Sequence, residues 1–261
     1  MTAFAVACLA LACAWRAMLV LSDDRRIRRP AVYRPGLDWT GAHELAPRRR
    51  WAWAGLTAAL CLVPAMAAPA PWAQAVVILA AGTLIAWILR DRILHPARYT
   101  SVCIAVLALA VALAQTSPPA AGTAASFFAA QLYIVAGLRK LRSPQFMSGR
   151  VILHNFAYGT FQSLGGNHEF IPIPRPAEVL SSRTFPAACR TAALLTALVE
   201  PALGLGATGL MPPPLLIGLA IPVHLGFLLI SPYRIVPFTA AALGLLTLST
   251  LHPLIPLGLP S

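Results

Sequence analysis

The chain has 261 residues, of which 58% are hydrophobic and only 11% charged, with 20 Lys and Arg against 8 Asp and Glu. Its mean hydropathy is +0.73. A soluble domain carries about 25% charged residues, so this composition excludes one with an ordinary polar surface. The net charge of +12 does not indicate nucleic acid, because the basic residues stand at the ends of apolar segments, as in membrane proteins with basic cytoplasmic loops.

Taken in order, the apolar segments predict eight spans near 3–21, 51–69, 72–89, 99–115, 120–138, 189–208, 212–230 and 235–252. Each approaches the ~20 residues that cross a hydrocarbon core. The expected fold is therefore all-α, a polytopic transmembrane bundle of about eight spans forming one integral membrane domain over 1–261. A seven-span version would make 51–89 a partly re-entrant hairpin. Pro64, Pro201, Pro222 and Pro237 fall inside spans, where neighbouring helices can satisfy the freed backbone groups.

The first span has no basic residue before its apolar core, and Arg25, Arg26, Arg28 and Arg29 follow it. That order favours a retained anchor with an outside N-terminus over a cleaved signal. Arg16 lies inside this span, close enough to its inner end to snorkel. The 22–50, 90–98 and 139–188 connections and the 231–234 turn carry the remaining basic residues except Arg190, which starts the sixth span. Residues 70–71, 116–119, 209–211 and the C-terminus carry no Lys or Arg. Eight spans with both termini outside satisfy the positive-inside pattern in a plasma membrane, such as a bacterial inner membrane.

Five cysteines (Cys8, Cys13, Cys61, Cys103, Cys189) form no CxxC pair. They read as small buried hydrophobes, with no metal site or disulfide framework expected. HExxH, G-x-S-x-G and phosphate-loop patterns are absent, which argues against a metalloprotease or an ATP-driven transporter. The long connection between the fifth and sixth spans is aromatic, Gly- and His-rich. Over 143–188 it predicts an interfacial or re-entrant loop serving as entrance or lid.

Ionisable groups in apolar spans are expensive to place there. Lys140 ends the fifth span, Glu200 lies within LLTALVEPALGLG, and His224 lies within GLAIPVHLGFLLISPY. Lys140 is the only lysine in a chain of arginines. Arginine does not release its proton, whereas a partly desolvated lysine amine can do so and act as a base. Helical spacing puts Tyr133, Ala136, Gly137 and Lys140 on one face. The two small residues would leave space before the amine, with Tyr133 as a wall. The bland alternatives are a helix-end anchor for Lys140, a pair with Arg190 for Glu200, and an interhelical hydrogen bond for His224. His154 and His168 are further candidates in the aromatic segment; His43, His95 and His252 read as surface or interface residues.

The stretch Gln131–Gly149, QLYIVAGLRKLRSPQFMSG, resembles the signature of the vitamin K-dependent γ-carboxylase-like family, whose bacterial members are called HTTM, for horizontally transferred transmembrane domain. That signature has an aromatic-rich helix ending in Ala-Gly-x-(Lys/Arg)-Lys-Leu, then Trp and, three residues on, Gly. Ala136, Gly137, Arg139, Lys140, Leu141 and Gly149 fit, and Phe146 replaces Trp. An acid in one later helix and a histidine in the next match Glu200 and His224, so the resemblance runs over 120–252.

The resemblance implies a membrane enzyme in which Lys140 is the base, with His224 and Glu200 as helpers. Tyr133, Gly137, Arg139 and His154 would line the substrate site, and a reduced quinone would be the cofactor. In the carboxylase, oxygenation of the quinol provides the strong base that deprotonates glutamate for carboxylation. The carboxylase's large soluble C-terminal part has no counterpart here, which argues against a propeptide-bearing substrate. The expected partners are the lipid bilayer and a lipophilic small molecule or peptide, not nucleic acid. The alternative is a non-enzymatic accessory protein for peptide maturation, export or immunity.

Overall fold

The computed structural model describes residues 2–27, 45–67, 71–94, 98–166 and 170–255. The described residues are almost entirely helical, with no strand among them; the fold is all-α. His43, His95 and His168 lie outside the described residues. The helices are α1 (Thr2–Ile27), α2 (Leu45–Ala67), α3 (Pro71–Leu94), α4 (Arg98–Thr116), α5 (Pro118–Leu141), α6 (Pro144–Met147), α7 (Arg150–Leu164), α8 (Pro176–Ser181), α9 (Phe185–Leu205), α10 (Pro213–Ile230) and α11 (Val236–Ser249).

Among the described residues, six segments are long and apolar enough to cross a membrane: Thr2–Leu21, Trp72–Leu89, Tyr99–Thr116, Pro118–Leu141, Phe185–Leu210 and Pro213–Ile230. The other two expected spans are also helices. α2 opens on arginines at 48–50, which shortens its apolar run, and α11 has only 14 residues. Exposed faces are leucine-rich, with Leu194, Leu195 and Leu198 on α9 and Leu225 and Leu229 on α10. The buried stripe of α9 carries Ala193, Ala197, Glu200 and Gly204, and that of α10 carries Leu216, Ala220 and His224. Apolar residues outward with small and polar residues inward is the arrangement suited to lipid. The chain is a multi-pass membrane protein.

The chain divides into two compact units. Unit 1 comprises residues 1–121 and 237–245. Within it α1 packs on α2 and α4, and α3 on α2 and α4. The Trp87 ring is fully buried against Gly55, where any side chain would collide with it. Arg16 is 3% exposed, so it sits inside the unit instead of snorkelling outward. Cys8, Cys13, Cys103 and Cys189 are buried, but Cys61 is exposed. A helix in lipid has no need to hide a small apolar thiol, so burial does not follow from residue type there.

Unit 2 comprises residues 122–236 and 246–261. Here the expected loop 143–188 is largely helical, made of α6, α7, α8 and the first turn of α9. Its polarity hides an amphipathic pattern: Ile152, Gly159 and Thr160 are buried, while Tyr158, Phe161 and Leu164 are exposed. Ile152 joins Cys189 and Ala193 in a small core lined by Phe146, Leu153, Phe185 and Ile230. Gly149 turns the chain into α7 with φ +78° and abuts the backbone of Arg190, so both its conformation and its lack of a side chain are required.

Candidate functional site

The site is built on α5, α9 and α10, all from unit 2. α5 is the common partner. Gly137 lies against the Pro201 ring of α9, and Gly204 of α9 lies against Ala130 and Ile134 of α5. These small residues let the two backbones approach closely. The space expected in front of Gly137 is therefore filled by Pro201. Gly137 is a packing residue here, not an opening for substrate.

With the helices this close, Lys140 Nζ donates to Glu200 Oε1 and the two form an ion pair. The Lys140 side chain is 21% exposed and that of Glu200 3%. Glu200 Oε2 is buried and has no hydrogen-bond partner among the described residues. Arg190, the alternative partner read from the sequence, is exposed and ten residues earlier, about 15 Å along the same helix. Glu200 itself lies fifteen residues, about 22 Å, from the start of α9. The pair is therefore placed deep along that helix, although Lys140 is one residue from the end of α5.

Two helical turns before Lys140 on α5, Tyr133 Oη and His224 Nε2 are 2.5 Å apart in a buried hydrogen bond. Their rings meet edge to face at 5.9 Å. Phe227 connects the two pairs. Its ring centroid is 5.7 Å from that of His224 and 5.1 Å from Lys140 Nζ. Phe146 covers another side of the ammonium at 5.5 Å. Aromatic faces attract a cation and exclude water from it.

Local sequence explains Phe146. Ser143 precedes a proline and is extended (φ −97°, ψ 106°), which ends α5; Pro144 then starts α6. Ser143 Oγ accepts the Phe146 N–H at 3.2 Å, fixing the turn that brings this ring back over Lys140. Pro222, two residues before His224, removes one backbone donor from α10.

The structure thus brings Lys140, Glu200, His224 and Tyr133 together. Arg139 and His154, expected as substrate contacts, are both exposed, His154 on α7. Phe227 and Pro201 escaped the sequence reading. The sequence signal for Phe227 is its place one turn after His224, on the same face; Pro201 shows in the sequence only as a proline inside a span. His252 is exposed, and its backbone lies against Gly122.

Chemically, the constellation offers an amine and a carboxylate sharing a proton, beside a phenol and an imidazole that share another. No protein-family model, curated protein or solved structure matches the chain.

Proposed function

We propose that the protein is a membrane enzyme of the carboxylase-like kind, in which Lys140 acts as a base on a lipophilic hydroxyl compound. The observation that carries this reading is the Lys140–Glu200 pair, with Glu200 buried, Lys140 partly so and flanked by Phe146 and Phe227, and Tyr133–His224 alongside. A lysine needed only as a helix anchor would have its amine in the headgroup region, not on a buried carboxylate.

Glu200 acts by taking the ammonium proton, which leaves Lys140 as a neutral amine able to accept a proton from substrate. Tyr133 holds the His224 ring through Nε2, so the imidazole is oriented before substrate arrives. A reduced quinone suits this donor set chemically: Lys140 would take a hydroxyl proton, with the Tyr133–His224 pair as the neighbouring hydrogen-bonding groups. When bound, it would supply a weakly acidic hydroxyl.

The charge pattern supports a plasma-membrane location, such as a bacterial inner membrane, with both termini outside. A second reading also has an observation behind it. The close Gly137–Pro201 and Gly204–Ala130 contacts make the polar pairs interhelical glue in an accessory protein. Lys140→Arg separates the two, since it keeps charge and pairing but removes the releasable proton. Loss of host function at matched membrane levels supports the enzyme. Full function in the variant overturns it and leaves the accessory role.

A further inference from the structure

Away from the buried pairs, unit 2 has a surface whose chemistry changes along a single helix. Arg150 is the first residue of α7, and Arg190 lies near the start of α9. Their backbones are neighbours, because Gly149 abuts the backbone of Arg190. Both are exposed, and neither has an ion-pair partner among the described residues. Two exposed arginines on adjoining backbone raise the local positive potential, which an anion within reach of both would relieve.

From Arg150 the exposed stripe of α7 continues through His154 to Tyr158, Phe161 and Leu164, at helical spacing. Phe161 and Leu164 are 73% and 71% exposed. The stripe is basic at one end and apolar at the other, about 16 Å apart between Arg150 and Phe161. α7 cannot roll to hide it: Ile152 is buried against Cys189 and Ala193, and Phe170 packs on Gly159 and edge-on to Tyr158 at 5.8 Å. α7 packs on α9, whose own exposed face is leucine-rich, with Leu194, Leu195 and Leu198.

We propose that this face binds an anionic phospholipid, its phosphate between Arg150 and Arg190 and an acyl chain along Tyr158, Phe161 and Leu164. A headgroup phosphate matches the two unpaired guanidiniums, and only a lipid also supplies an apolar chain for the other end. A soluble anion would leave Phe161 and Leu164 in water. This inference is independent of the role of Lys140.

The test is native mass spectrometry of the full chain released from detergent, titrated with phosphatidylglycerol or phosphatidylcholine. The wild type is expected to retain phosphatidylglycerol preferentially. The Arg150→Gln/Arg190→Gln double variant is expected to lose that preference by roughly tenfold to thirtyfold, at about 1 kcal/mol per basic residue. Arg150→Lys/Arg190→Lys is expected to keep most of it, and Arg175→Gln, a residue already paired with Glu178, all of it. Equal retention of the two lipids by the wild type overturns the proposal without any variant. So does a folded double Gln variant that keeps the wild-type preference, or an Arg175→Gln variant that loses as much.

Discussion

At the scale of single residues, the argument turns on a buried charge and its partner. Lys140→Met leaves Glu200 inside unit 2 with no counter-charge. Breaking a buried pair from one side destabilises by roughly 3–5 kcal/mol, while replacing both members with apolar residues is often close to neutral. Lys140→Met is therefore expected to lower the thermal midpoint sharply in detergent, and Lys140→Met/Glu200→Met to recover most of it. A single variant as stable as the wild type would mean that Glu200 is not held by Lys140. Tyr133→Phe removes the hydrogen bond to His224 at constant ring volume, with an expected loss of about 1–2 kcal/mol by the same measurement. Much of this was legible in the sequence: one lysine, one acid and one histidine in apolar surroundings identify themselves by their desolvation cost. Their pairing was not legible, since Glu200 with Arg190 was equally plausible until the register of α5 against α9 was known.

At the scale of elements, glycines divide according to what faces them. Gly137 meets Pro201, and Gly204 meets α5 backbone, so a larger residue at either position must push the helices apart. Gly137→Val is expected to destabilise by about 1–3 kcal/mol or more and to separate Lys140 from Glu200. Gly226 of α10 faces open space, and Gly226→Ala is expected to be neutral or to stabilise by up to about 1 kcal/mol. Paired melting curves decide the matter; equal effects at the two positions would contradict the packing described. Helix identities were readable from hydropathy because lipid-crossing helices need long apolar runs. The helical nature of 143–188 was not, because α7 buries Ile152, Gly159 and Thr160 on one side and shows aromatic residues on the other, which dilutes an averaged hydropathy. Gly and His were read as loop signals, yet Gly149 makes a turn and Gly159 makes room for Phe170.

At the scale of the whole molecule, two expectations follow from topology and exposure. With eight spans the basic connections 22–50, 90–98, 139–188 and 231–234 share one side, and the positive-inside rule then predicts both termini outside. A C-terminal alkaline phosphatase fusion is expected to be active and the matching green fluorescent protein fusion dark; the reverse pattern would invert the topology. Of the five free cysteines, only Cys61 is exposed. Labelling of the native protein by a membrane-permeant maleimide is expected to be slow, because a thiol in lipid yields little thiolate, confined to Cys61 and absent in Cys61→Ser; labelling of Cys13 or Cys103 before unfolding would contradict the core of unit 1. The molecule's chemistry rests in the end on whether the Lys140 amine turns over a substrate. The most direct measurement is an untargeted comparison of lipids, quinones and small peptides from cells expressing the wild type or Lys140→Arg at equal membrane levels. The account predicts a product present with the wild type and missing with the variant, whose mass identifies the substrate class. Identical profiles, with the host phenotype intact in both, would contradict it and leave Lys140 as a tie between α5 and α9.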